Sequence, residues 1–286
     1  MTTGKSYNLN DLPEEFRKII KYTTNQIRNF GNAMLLPEFS YDLVQLIYSV
    51  DFDDETKNSI AKDFRNLVYE AFGDNKDYFH EKANLIENKR DEYMQSLYSQ
   101  GLVYHWAIIE NYVKQLLAAL INFDNKILER EAFGSIKIPM SEFFGLDEKD
   151  RGMFLANLII ASISSGKKPK YGVDKFEQYL EFFELNGSLN KDDKRNILAL
   201  HCFRNCIVHN DSNVDERLVE HCGWLNLKLN DRIVIKDEDF RAYESSILVY
   251  IHEIYYRLNV YLGAPEITLK SLRGEIDKII SRNKNT

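Results

Sequence analysis

A chain of 286 residues holds two small domains or one domain with a sizeable extension, and an apolar fraction of 44 % is enough to bury a real core. A formal net charge of −7 excludes a surface that wraps polyanions indiscriminately, though not a local basic pocket. No apolar run approaches the roughly 20 residues that cross a bilayer, Met1 to Asn10 is polar, and Cys202, Cys206 and Cys222 read as reduced thiols, so a soluble cytoplasmic protein is expected.

With only 5 Pro and 13 Gly, few breaks interrupt the helical pattern. Asp11-Leu12-Pro13-Glu14 announces a first helix, with an N-cap and Pro in the first turn, running to about Gly31. Two more helices are expected over Tyr41 to Val50 and Asp54 to Phe72, before the break at Gly73-Asp74-Asn75. A very long helix follows from about Asp77 to Phe123, interrupted if anywhere at Gly101. Asp124 to Leu146 is irregular, Asp147 to Ser164 helical, and Gly166 to Gly172 a basic loop. Asp174-Lys175-Phe176-Glu177 has the form of a capping box opening a helix to Asn186, and Asn190 caps the next. Leu225, Leu227 and Leu229 alternate with polar residues, and Asn230-Asp231 turns the chain into Ile233-Val234-Ile235, which reads as a small β-hairpin. Asp237 caps a last long helix that Gly263 and Pro265 end. The expected architecture is all-α with one small hairpin: an N-terminal helical region over 1–75 and a helical bundle over 76–286.

The stretch that carries chemistry is Ala199-Leu200-His201-Cys202-Phe203-Arg204-Asn205-Cys206-Ile207-Val208-His209-Asn210-Asp211. It ends an apolar helix and runs straight into the polar tract Asn210 to Asn213. Asn205 and His209 are four apart and share a face, so the amide can orient the imidazole. Arg204 lies about 140° round the helix from His209. One helix is therefore expected to converge the pair poorly, whereas two copies side by side would pool both pairs in one cleft. An imidazole that moves protons and a guanidinium that steadies charge on phosphate oxygens suit attack of a ribose 2′-OH on the adjacent phosphorus. That reaction needs no metal, and DNA lacks the attacking hydroxyl.

The segment resembles the Arg-x(4–6)-His signature of HEPN domains, in the form Arg-Asn-x-x-Val-His-Asn. The helix Trp106-Ala107-Ile108-Ile109-Glu110-Asn111-Tyr112-Val113-Lys114 is similar to the family's early helix with its acidic residue, and the likeness spans roughly Asp77 to Leu262. The resemblance implies a helical bundle that pairs as a homodimer and a metal-independent endoribonuclease of toxin or phage-defence type acting on RNA. On that reading His209 is the acid/base, Arg204 the phosphate ligand, and Asn205 and Glu110 supports, with Arg204 the expected partner of Glu110. Neither cofactor nor metal is implied. A regulatory or antitoxin protein is a further expected partner, although Asp211 stands where some such toxins carry a Tyr that is modified. The alternative is a non-catalytic HEPN scaffold that binds a nucleotide or a protein.

Other residues carry a chemical and a structural reading side by side. Arg195-Asn196-Ile197-Leu198-Ala199-Leu200-His201 fits the looser spacing, but it lies inside the apolar run rather than at its exit. His201, Cys202, Cys206, His209, His221 and Cys222 suggest zinc by composition, yet no Cys-x(2)-Cys pair occurs and structural thiols are expected. Lys167, Lys168 and Lys170 could grip phosphates or form a solvated loop. Tyr250, Tyr255, Tyr256 and Tyr261 fit a core or dimer seam before a base-stacking platform.

Overall fold

The computed structural model describes residues 14–30, 76–130, 133–134, 136–166 and 170–283, and they are predominantly helical. The helices expected over 41–50 and 54–72 lie outside the described residues. The chain divides into two compact units, Met1–Arg28 with Tyr98–Thr286, and Asn29–Leu97. Helix α1 covers 14–30 and α2 is Lys76–Phe123, unbroken at Gly101. No helix among the described residues is long and apolar enough to cross a membrane.

In the first unit, α2 from Tyr98 onward is followed by a 3₁₀ turn over Asn125–Glu129, α3 (Met140–Gly145) and α4 (Glu148–Gly166). Then come α5 (Val173–Glu181), α6 (Lys191–His209), α7 (Glu216–His221), α8 (Asp237–Tyr261) and α9 (Glu266–Asn283). The buried faces repeat at helical spacing: Leu102, Trp106, Ile109, Val113, Leu116 and Leu120 in α2; Phe240, Tyr243, Ile247, Tyr250, Ile254 and Leu258 in α8. Alpha6 packs on α8 and α7, and α9 packs on α8. The Tyr112 hydroxyl donates to the Ile251 carbonyl at 3.3 Å, joining α2 to α8. Helix α9, absent from the expectation, starts directly after Pro265 and buries Thr268 and Ile276.

The expected hairpin is not formed. Asn226 takes a left-handed conformation (φ 52) at the end of a 3₁₀ turn over Gly223–Leu225, which breaks the extended run. The groups a second strand would have used go to the loop after α6. Val214 N donates to Asp231 O, Asn230 N to Val214 O and Ile233 N to Ser212 O, leaving one isolated antiparallel bridge between Asn213 and Arg232.

The capping box at Asp174 is also replaced. Helix α5 is capped two residues earlier, at Gly172, Asp174 pairs with Lys194 of α6 at 2.8 Å, and Glu177 turns inward. Its two oxygens accept from the Gly187 N–H (2.7 Å), the Tyr250 hydroxyl (2.8 Å) and Arg257 Nη1 (2.8 Å). A buried partner of opposite charge competes better for the carboxylate than a half-solvated helix start.

Candidate functional site

The helix that carries the site is fixed at both ends. Asn190 Oδ1 accepts from the backbone N–H groups of Asp192 (3.1 Å) and Asp193 (2.9 Å), and both carboxylates sit in the first turn, where the helix dipole favours them. At the other end Asn210 N and Ser212 N both donate to Cys206 O. Asn210 and Asn213 exchange amide-to-carbonyl bonds at 2.9 and 3.1 Å. Asp211 (φ 49) and Ser212 (φ 59) are both left-handed. The polar tract legible in the sequence is thus a locked exit that holds His209, the last residue of α6, at the surface.

At that exit the structure brings Arg204, Asn205 and His209 together within one chain. Arg204 Nη1 donates to Asn205 Oδ1 at 3.0 Å and lies 3.4 Å from His209 Nε2. The expectation that one helix converges Arg204 and His209 poorly is corrected: the long arginine side chain spans the angular separation. A guanidinium can only donate, so this contact suits a His209 Nε2 that accepts. Arg204 and Asn205 are half-buried and His209 is exposed. Arg204 Nε is buried without a hydrogen-bond partner among the described residues.

Glu110 does not pair with Arg204. Its Oε1 accepts from Lys175 Nζ at 2.6 Å, an α5 residue that sequence spacing gave no reason to single out. The Lys175 ammonium also lies 5.6 Å from the Trp106 ring centroid, so one cation serves a carboxylate and an aromatic face.

The looser signature does not assemble. Arg195 lies over the Trp224 ring at 5.3 Å, whereas His201 is 7 % exposed and stacked on Trp106 with centroids 4.2 Å apart and planes 4° from parallel. His201 Nδ1 accepts the Gly172 N–H at 2.9 Å. Burial first, then the Lys175 charge, with Glu110 opposing and Arg204 and His221 adding, lowers His201 to about 4, so it is neutral near pH 7. No family model, curated protein or solved structure matches the chain.

The three thiols are free and buried. The hydrogen bond to Cys222, with burial, pushes the Cys202 thiol up, and burial pushes Cys206 up to about 11, so neither is a poised thiolate. Among the described residues no three His, Cys, Asp or Glu side chains gather as a metal site. Lys170 is exposed, and Lys167 and Lys168 lie outside the described residues. Tyr250 is fully buried core.

Proposed function

We propose that the chain is a metal-independent endoribonuclease of HEPN type, serving as a toxin or phage-defence effector. The observation that carries the reading is the contact of Arg204 Nη1 with both Asn205 Oδ1 and His209 Nε2 at the exposed end of α6. In this arrangement His209 Nε2, freed from Arg204 when substrate enters, takes the proton of the ribose 2′-OH. That oxygen attacks the adjacent phosphorus, and the 5′-oxygen leaves with a proton. The guanidinium swings onto the phosphate, where its remaining N–H donors meet the charge that builds on the non-bridging oxygens. Asn205 holds the guanidinium in register, and the Glu110–Lys175 pair supports the helix behind it.

The reaction moves two protons, and one chain offers one exposed imidazole at this exit. A homodimer that pairs two α6 ends would supply base and acid from the two copies of His209. The motive for pairing is therefore proton transfer, because Arg204 and His209 already meet in a single chain.

The test is RNA cleavage in EDTA. The unaltered chain should release products with 2′,3′-cyclic phosphate and 5′-OH ends, and His209→Ala and Arg204→Ala should each abolish release. His209 is exposed at the helix exit, so His209→Ala should cost about 1 kcal/mol of stability or less, whereas truncating half-buried Arg204 should cost about 1–2 kcal/mol. Products with 5′-phosphate ends would point to an activated water and defeat this mechanism. Undiminished cleavage by His209→Ala would hand the site to the scaffold reading, in which Arg204, Asn205 and His209 close the helix end and the fold binds a nucleotide or a protein.

A further inference from the structure

Behind the Arg204 site a column of rings runs from the core to the surface. Trp106, 1 % exposed, stacks on His201, and Tyr171 lies next at 5.7 Å between centroids. Tyr171 then meets His221 at 4.3 Å with planes 37° apart, and these outer two rings are half-buried. The column is built deliberately by the backbone. Gly172 adopts φ 57 and lies so close to α6 that a Cβ would stand 3.0 Å from Leu198 Cα and 3.2 Å from Leu198 Cβ. Only glycine fits that approach. The same residue donates its N–H to His201, which pins Tyr171 against the helix.

From the other side α7 packs on α6, with Asp215 acting on Cys206 and Cys222 on Cys202. His221 therefore stands level with the His201–Cys202 turn. At 1.5 Å per residue that level is roughly 10 Å along α6 from His209, with Arg204 between. Tyr171 touches both His201, one turn before Arg204 on α6, and His221, so the column and Arg204 share one side of the helix end. Neither the Tyr171 hydroxyl nor a His221 ring nitrogen has a hydrogen-bond partner among the described residues, so the outer end of the column offers polar edges as well as an aromatic face. Lys170, exposed, adjoins it.

We infer that His221, backed by Tyr171, is the base-stacking wall of this site, its outer ring face taking the nucleobase of a single-stranded RNA nucleotide beside the phosphate held by Arg204 and His209. The inference rests on the ribonuclease reading for the phosphate but on the ring column for the base. Stacking is sequence-tolerant, since every base has a π-face, and the hydroxyl and imidazole edges add preference among bases. A polyanion is held here by local cations and rings against an overall charge of −7.

The experiment uses the full chain carrying His209→Ala, so that RNA stays uncut, and a short fluorescent single-stranded RNA read by anisotropy. Adding His221→Leu should weaken binding about tenfold or more, the scale of one base–aromatic stack, while His221→Phe should keep it. An RNA series with one abasic position moved along the strand supplies the second readout and needs no further substitution in the protein. One position should cost as much as His221→Leu does, and the two losses should not add. If no abasic position matters, or His221→Leu folds and binds as its parent does, the wall is overturned. Cleavage by the unaltered chain is scored separately. Coupling without cleavage defeats the ribonuclease and leaves the wall, and cleavage without coupling does the reverse.

Discussion

His201 and His105 are almost wholly enclosed, and burial lowers both imidazoles to about 4. An unfolded chain would hold a proton on each below the ordinary value of 6.5, so between 6.5 and 4 the unfolded state binds more protons than the native one. Stability must therefore rise with pH across that window: the contribution is complete above 6.5 and is lost as pH falls toward 4. Each imidazole accounts for at most about 3 kcal/mol. Protonation of His201 also converts Nδ1 from acceptor to donor, which breaks the bond from Gly172 and sets a charge against Lys175 and Arg204. The melting temperature should fall steeply on acidification from pH 6.5 to 4. His201→Phe, which keeps a ring on Trp106, should start lower at neutral pH but follow a shallower slope. An unchanged slope would mean that His201 titrates freely in the folded protein. Asn205, Arg204 and His209 were legible as residues because their spacing is local. Lys175, Tyr171 and the partnership of His221 were not, since nothing in the sequence announces contacts across 65, 30 or 50 positions.

At the scale of elements, signals that act within a few residues carried through to the structure. Asn190 caps α6 as its position suggested, Asp237 opens α8 to within a residue, and the long pattern ending at Phe123 is one helix. Signals that a distant partner could outbid did not carry through. Glu177 left its cap position for Arg257, 80 residues away, and Val214 drew the polar groups that would have paired a hairpin. Helix α9 went unseen because Gly263 and Pro265 read as an end, whereas Pro is equally at home just before a new helix starts. The cap at Asn190 gives the sharpest test at this scale. Asn190→Ala removes acceptors for two backbone N–H groups and the amide partner of buried Asp193, whose other oxygen accepts from Ser246 at 2.6 Å. The expected cost is about 1–2 kcal/mol in chemical denaturation. Alpha6 has 19 residues, so the cap lies roughly 28 Å from His209, and activity per folded molecule should be unchanged. A loss of cleavage without a loss of stability would show that the register of α6 at its far end depends on the cap.

The whole first unit is tied by polar contacts that cross its core, and the largest knot is the one around Glu177. Its side chain is 16 % exposed and that of Arg257 12 %. Arg257 also reaches the Ser188 carbonyl at 3.2 Å, so the pair joins α5, the Leu185–Ser188 segment and α8. Taking two charges out of water is expensive, and the pair is worth little beyond an apolar substitute of the same shape. Removing one partner is another matter, because the survivor keeps its desolvation cost without compensation. Arg257→Met should therefore destabilise the protein by about 3–5 kcal/mol. Glu177 would retain only the Tyr250 hydroxyl and the Gly187 N–H. Adding Glu177→Gln to Arg257→Met removes the stranded charge; the amide oxygen can still accept from the Gly187 N–H while the Tyr250 hydroxyl turns to accept from the amide nitrogen, and more than half of the loss should be restored. Equilibrium unfolding of the two single variants and the double closes the cycle. A double variant no more stable than Arg257→Met would show that shape complementarity, rather than charge, is what the Arg257 side chain supplies between α5 and α8. A single variant within about 1 kcal/mol of the parent would show that water reaches Glu177 freely enough to solvate it without a partner.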